Sequence, residues 1–219
     1  MRMRKKPNLI PRMERCEACL IRDAETHCGR WRELKPDAAQ LRLELGCGKG
    51  RFTAGTAAAE PDVLFIAVER VPDAMVMAME RCAAQGLTNV FFIDANADQL
   101  PLFFAPGEAD RVYINFCDPW PSNRHAKRRL THGNFLKLYR KVLKDGGQTH
   151  FKTDNAPLFA WSVEEIPQFG FALSEVTDDL HANGAVGVMT DYEAKFHELG
   201  TPIHRLVATM TPWEEPEEE

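Results

Sequence analysis

From residue 41 onward, apolar runs of strand length alternate with segments of helical period. LRLELG (41–46), VLFIAVE (63–69), VFFIDA (90–95), RVYINFC (111–117) and QTHFKT (148–153) predict strands. Three of these are almost unbroken apolar runs, as parallel strands covered on both faces require. Between them the pattern predicts helices at about 51–59, 72–85, 130–143 and 156–166. The most regular is 130–143, where Phe135, Leu136, Leu138, Tyr139, Val142 and Leu143 form the apolar stripe. Thr131 is placed to cap its start, Asp145-Gly146-Gly147 to stop it, and Lys137, Lys141 and Lys144 to line its outer face. FALSEVTDD (171–179) and HRLVATM (204–210) predict two later extended segments. This order predicts an α/β fold, a doubly wound and mostly parallel sheet with an antiparallel strand near the C-terminus. Residues 1–40 lack the pattern and are expected to form a basic arm, residues 41–210 one domain, and residues 211–219 an acidic, disordered tail.

A chain of 219 residues can bury a core that needs no disulfide or metal staple. Its six cysteines (Cys16, Cys19, Cys28, Cys47, Cys82 and Cys117) do not form a disulfide framework and read as reduced thiols. No apolar run approaches the ~18 residues of a membrane span, and MRMRKKP is followed by no signal-peptide core. A cytoplasmic protein with no membrane partner is expected. Cys16, Cys19, His27 and Cys28 could supply zinc ligands, but a single C-x-x-C with an adjacent second pair suits a tetrahedral ion poorly, so no metal is expected. A monomer and a homodimer are both compatible with the sequence.

Net charge is −5, which alone disfavours a nucleic-acid partner, but the charges are unevenly spread. Residues 1–35 carry ten Lys/Arg against five Asp/Glu, and residues 124–144 carry eight Lys/Arg and no acid. The local field follows the local charge. A solvated helix face explains such a run; so does a phosphate-binding rim.

In a sheet of this kind ligands bind at the carboxyl ends of the strands. The first strand ends in Glu44-Leu45-Gly46-Cys47-Gly48-Lys49-Gly50, a tight turn in which Gly46 and Gly48 let a ligand approach the backbone. The third glycine of a dinucleotide fingerprint would fall at Arg51, which disfavours a nicotinamide cofactor. Glu69 ends the second strand, where a carboxylate can accept both ribose hydroxyls or simply be a surface acid. Asn96 follows the third strand as an adenine reader or a turn residue. Asp118-Pro119-Trp120-Pro121 closes the fourth, a stiff turn whose indole either pins a planar base or packs inward. Immediately after it stand Arg124, His125, Lys127, Arg128 and Arg129, suited to neutralising phosphates.

This layout of strand ends resembles the class I S-adenosylmethionine-dependent methyltransferases. The stretches RVYINFCDPWPSNRHAKRRLTHGNFL, HFKTDNAPLF and MTDYEAKFHELGTPIHRL, with MRMRKKP at the start, closely resemble the bacterial tRNA (guanine(46)-N7)-methyltransferase family over nearly the whole chain. The resemblance implies methyl transfer from S-adenosylmethionine to N7 of guanosine 46 in the variable loop of tRNA. It matches Glu44, Glu69, Asn96 and Asp118 to cofactor positions and Asp118 also to the catalytic one. Asp154 and the run Thr190, Asp191, Tyr192 and Glu193 match substrate-binding positions, and residues 124 to 129 the RNA-contact segment. Ser122 and Asn123 depart from the two lysines usual in the family, so a lysine contact to substrate is missing there.

Overall fold

The computed structural model describes residues 6–215; the start of the basic arm (1–5) and the end of the acidic tail (216–219) lie outside the described residues. In chain order the helices and strands are α1 (Leu9–Glu14), β1 (Leu20–Ile21), β2 (Gln40–Leu45), α2 (Arg51–Ala59), β3 (Val63–Glu69), α3 (Pro72–Ala84), β4 (Val90–Asp94), α4 (Leu100–Phe103) and β5 (Ala109–Asn115). They continue with α5 (Gly133–Val142), β6 (Leu143–Thr153), α6 (Ala156–Glu165), β7 (Phe171–Thr177), α7 (Asp191–Glu198) and β8 (His204–Met210). The strands form one eight-stranded sheet in the order β1-β4-β3-β2-β5-β6-β8-β7. Pairings from β1 through β6 are parallel, and β8 runs antiparallel to both β6 and β7. The strand order reverses between β2 and β5, which opens a crevice above their carboxyl ends.

Alternation along each strand divides the core into two layers. On β3, Leu64, Ile66 and Val68 join the cluster that holds Leu41, Leu43, Leu45, Leu136 and Tyr139. Val63, Phe65 and Ala67 face the other cluster, with Phe52, Met75, Met79 and Phe92. Burial on both faces explains why β3 reads as an unbroken apolar run.

Three features depart from the sequence pattern. Helix α5 starts at Gly133 rather than 130: His132 is its cap, with Nδ1 accepting from the Asn134 N–H at 3.1 Å. Thr131, expected to cap, is buried and shares a 2.7 Å hydrogen bond with the Ser162 hydroxyl. The helix also ends sooner, because Leu143 pairs with Ala109 and opens β6; Gly146, at φ 69°, then turns within that strand rather than stopping the helix. Lys144 thus leaves the lysine face and pairs with Asp110.

The N-terminal segment is built of short turns, so it carries no long period, yet it contributes to the fold. Trp31 is 0% exposed, donates its Nε1–H to the Phe103 carbonyl at 2.8 Å and stacks on Phe104 at 5.2 Å. Helix α1 lies on α3, where the Arg12 Nε–H donates to Glu80 at 2.7 Å, and β1 extends the sheet edge beside β4. All six cysteines are free. Among the described residues no group of three or more His, Cys, Asp or Glu is placed to hold a metal ion, and no helix is long and apolar enough to cross a membrane.

Candidate active site

Gly46, Gly48 and Gly50 turn the chain from β2 into α2 with φ of 79°, 56° and 73°, a region costly for other residues. They serve different ends. A Cβ on Gly46 or Gly48 would meet nothing within 4 Å, so the backbone there stands open to a ligand, whereas one on Gly50 would collide with Ala78 of α3. Glu69 braces this turn from the end of β3, its carboxylate accepting the N–H of Gly48 at 2.9 Å and of Val71 at 3.0 Å. Glu44 accepts from the Thr53 hydroxyl and, at 3.0 Å, from the Asn115 amide across the reversal between β2 and β5. Burial raises the pKa of both carboxyls, against the pull of their hydrogen bonds. The Asn115 Oδ1 is buried and accepts no hydrogen bond.

These residues fit a ligand that carries a cationic amine and a vicinal diol. Each carboxylate oxygen retains a free lone-pair direction beyond its present partner, the orphaned Asn115 Oδ1 wants a donor, and the glycines leave room. Asn96 is exposed and opens a single turn, its backbone N–H donating to Gln99 Oε1 at 3.1 Å. At the carboxyl end of β4, residues of the N-terminal segment wall a cavity of about 450 Å³ with Ile93, Asp94 and Phe103. Asp118, with a side chain 65% exposed, forms an ion pair with Arg70 at 3.3 Å.

The loop after β5 is conformationally unusual: Phe116 and Trp120 have φ of 55° and 42°, rare for bulky side chains. The basic run follows as a short turn, Asn123–Arg128. Arg124, His125, Lys127 and Arg128 are exposed, as are Ser122 and Asn123 before them. His125 meets the Trp120 ring edge-on at 5.8 Å, and the Arg128 guanidinium lies 4.9 Å from its centroid. Arg129 breaks with the group. It is 6% exposed, donates to the carbonyls of Pro119 and Trp120 and covers the Trp161 ring at 4.5 Å. The Arg129 guanidinium is thus committed within the protein, whereas its basic neighbours are open to solvent.

Helix α7 has no strong apolar period and is announced by its cap: the Glu193 N–H donates to Thr190 Oγ1 at 2.9 Å, and the Thr190 N–H to Glu193 Oε2 at 3.1 Å. Glu193 is itself 0% exposed, accepting from Lys152 Nζ at 2.6 Å and meeting His181 Nε2 at 3.0 Å. It anchors α7 to β6 through Lys152. Asp191 pairs with Arg81 at 3.3 Å, Tyr192 is 59% exposed and Asp154 is half-buried at the end of β6. Lys152, His181, Thr53 and Asn115 were not legible as site residues. Lys152 and Asn115 lie within strands, and only the tertiary pairing gives each its partner. Lys152 has a signal in retrospect, a lysine inside the recognisable FKTDN, and burial lowers its pKa.

Comparison with known proteins finds relatives over nearly the whole chain. Residues 38–206 match the family model described as "Putative methyltransferase". The tRNA (guanine-N(7)-)-methyltransferase of Geobacillus kaustophilus is 44% identical over 97% of this chain and 98% of its own length. That of Bacillus cytotoxicus is 40% identical over 95% and 96%. Among solved structures, a mutant of the 16S rRNA (adenine(1408)-N(1))-methyltransferase from Catenulisporales acidiphilia, with cosubstrate SAM, superposes with a TM-score of 0.60. It covers 86% of this chain and 93% of its own at 15% identity, a likeness of fold.

Proposed function

From the premise that the chain belongs to the tRNA (guanine-N(7)-)-methyltransferase family, we infer that it transfers the methyl group of S-adenosylmethionine to N7 of a guanine in tRNA. The reading extends to guanosine 46 of the variable loop as the acceptor and to the cytoplasm as the place of action. The observation that carries it is the joining, at one end of one sheet, of an open glycine turn backed by two buried carboxylates with an exposed aspartate and a basic rim.

Glu44, Glu69 and Asn115, with the Gly46 and Gly48 backbone, would hold the cofactor. When bound, it supplies a methyl group activated by its sulfonium. Guanine N7 carries a lone pair and no proton, so the chain needs no strong general base. The task of its side chains is to orient the base and balance charge, because the purine becomes cationic as it is methylated. Asp118 and Asp154 are assigned the N1 and amino hydrogens of the guanine, where a carboxylate both positions the ring and stabilises the developing positive charge. Arg124, Lys127 and Arg128 neutralise the tRNA backbone at the rim.

The test incubates the protein with labelled methyl donor and unmodified tRNA and identifies the nucleoside after digestion. 7-Methylguanosine is expected, with none formed when 7-deazaguanosine replaces the variable-loop guanosine. Asp118→Asn, which removes charge and keeps shape, should lower kcat far more than tRNA affinity. Methylation of the deaza substrate, or full turnover by Asp118→Asn, overturns this mechanism.

A further inference from the structure

The turn that carries Asp118 is held in a conformation its own residues disfavour. Trp120, two residues on, sits at φ 42° between two prolines. A bulky residue persists in that region only where its surroundings over-determine it. One buried side chain bonds directly to this turn. The Arg129 Nε–H points at the Pro119 and Trp120 carbonyls at 3.2 and 3.3 Å, and its Nη2 donates to Trp120 at 3.0 Å. Behind it, Trp161 of α6 covers the guanidinium at 4.5 Å and stacks in turn on His132, the cap of α5, at 6.1 Å. In front, the exposed Arg128 lies over the Trp120 indole at 4.9 Å. Two adjacent arginines thus face opposite ways, one toward the interior and one toward solvent.

We propose that Arg129 is a positioning residue for methyl transfer, its buried guanidinium clamping the Pro119–Trp120 turn so that Asp118 is fixed at the end of β5. The fork is essential to this role: a planar guanidinium reaches successive carbonyls from fixed directions, which the single ammonium of lysine does not reproduce. Without the clamp, Trp120 can relax toward negative φ and carry the neighbouring aspartate away from its working position. A displacement of about 1 Å at a reacting centre costs on the order of a hundredfold in rate. Binding of tRNA phosphates is the work of Arg124, Lys127 and Arg128, and Arg129 takes no part in it. The proposal rests on the reading of Asp118 given above.

The experiment compares wild type, Arg129→Lys, Arg124→Ala and Trp161→Leu in steady-state tRNA methylation, in tRNA binding as a function of salt, and in calorimetric binding of S-adenosylmethionine. Arg129→Lys should lower kcat on the order of a hundredfold, with the KM for tRNA, the salt dependence of tRNA binding and the cofactor affinity all close to wild type. Arg124→Ala sets the scale for a phosphate contact, lowering the log–log salt slope by about one. Trp161→Leu keeps the fork but removes its backing, and should lower kcat with cofactor affinity retained. Wild-type kcat in Arg129→Lys, or a salt slope reduced as in Arg124→Ala, overturns the proposal. Should Arg129→Lys fail to bind cofactor, Trp161→Leu decides, and full turnover there overturns it. Failure of the wild type itself to methylate tRNA refutes the function rather than the clamp.

Discussion

At the residue scale, the site depends on carboxylates whose environments differ sharply. Glu69 is buried and already accepts two backbone N–H groups, so it arrives at the cofactor preoriented. Glu69→Ala should weaken S-adenosylmethionine binding by roughly 1.5–3 kcal/mol, the cost of losing a charge-assisted hydrogen bond; calorimetry reads this directly, and unchanged affinity refutes the role. Asp118, by contrast, has an exposed side chain paired with the exposed Arg70. A different titration governs stability. His150 packs edge-on against Tyr113 at 5.3 Å, and burial, aided by Arg111 and other nearby cations, lowers its pKa to about 3. The unfolded chain therefore binds the proton more readily. The contribution of neutral His150 to stability is whole above about pH 6.5 and is lost as the pH falls toward about 3. Wild-type melting temperature should drop between about pH 7 and about pH 5, and His150→Phe should drop less. Equal drops in the two proteins would count against His150 as the source.

At the element scale, the N-terminal segment is a structural part of the sheet edge as well as a carrier of basic residues. Trp31 is wholly enclosed among Ala24, Phe103, Phe104 and their neighbours, with its indole N–H satisfied. Trp31→Ala should cost about 3–5 kcal/mol, read as a lower denaturant midpoint. A variant as stable as wild type would show that residues 6–40 contribute little to the core. Helix α7 is tied in differently, through Glu193 to Lys152 and His181 rather than through a broad apolar face. The strands and most helices are legible from periodicity because each repeats one burial rule over many residues. The N-terminal turns and α7 are not, since their order comes from a single large side chain and from a capping box. The start of α5 departs from its pattern for the same reason: Thr131 is as good a cap as His132 locally, but Ser162 claims its hydroxyl.

At the scale of the whole molecule, a chain of net charge −5 presents a concentrated positive rim beside the crevice. Affinity for tRNA should fall steeply with salt, and the Arg124, Lys127 and Arg128 triple alanine variant should lower the log–log slope by about three, one for each phosphate contact. Cofactor affinity should hardly move, and an unaltered slope would reject the rim as the RNA surface. Much of this molecule was set by its sequence alone. The α/β class, the order of the main strands, the glycine turn and the acids at the strand ends follow from local periodicity and from residue types that only certain turns accept. The motif run from Asp118 through Glu193 also placed the chain in its family, because so many spaced residues rarely coincide. Which of those residues face solvent was decided by the tertiary structure. Arg128 and Arg129 are adjacent and chemically identical, and so equivalent in any sequence pattern. One nevertheless lies, itself exposed, over the half-buried Trp120 indole while the other is enclosed by Trp161 and two carbonyls. Burial is a property of what arrives from elsewhere in the chain, and α6 arrives on one side of that turn only.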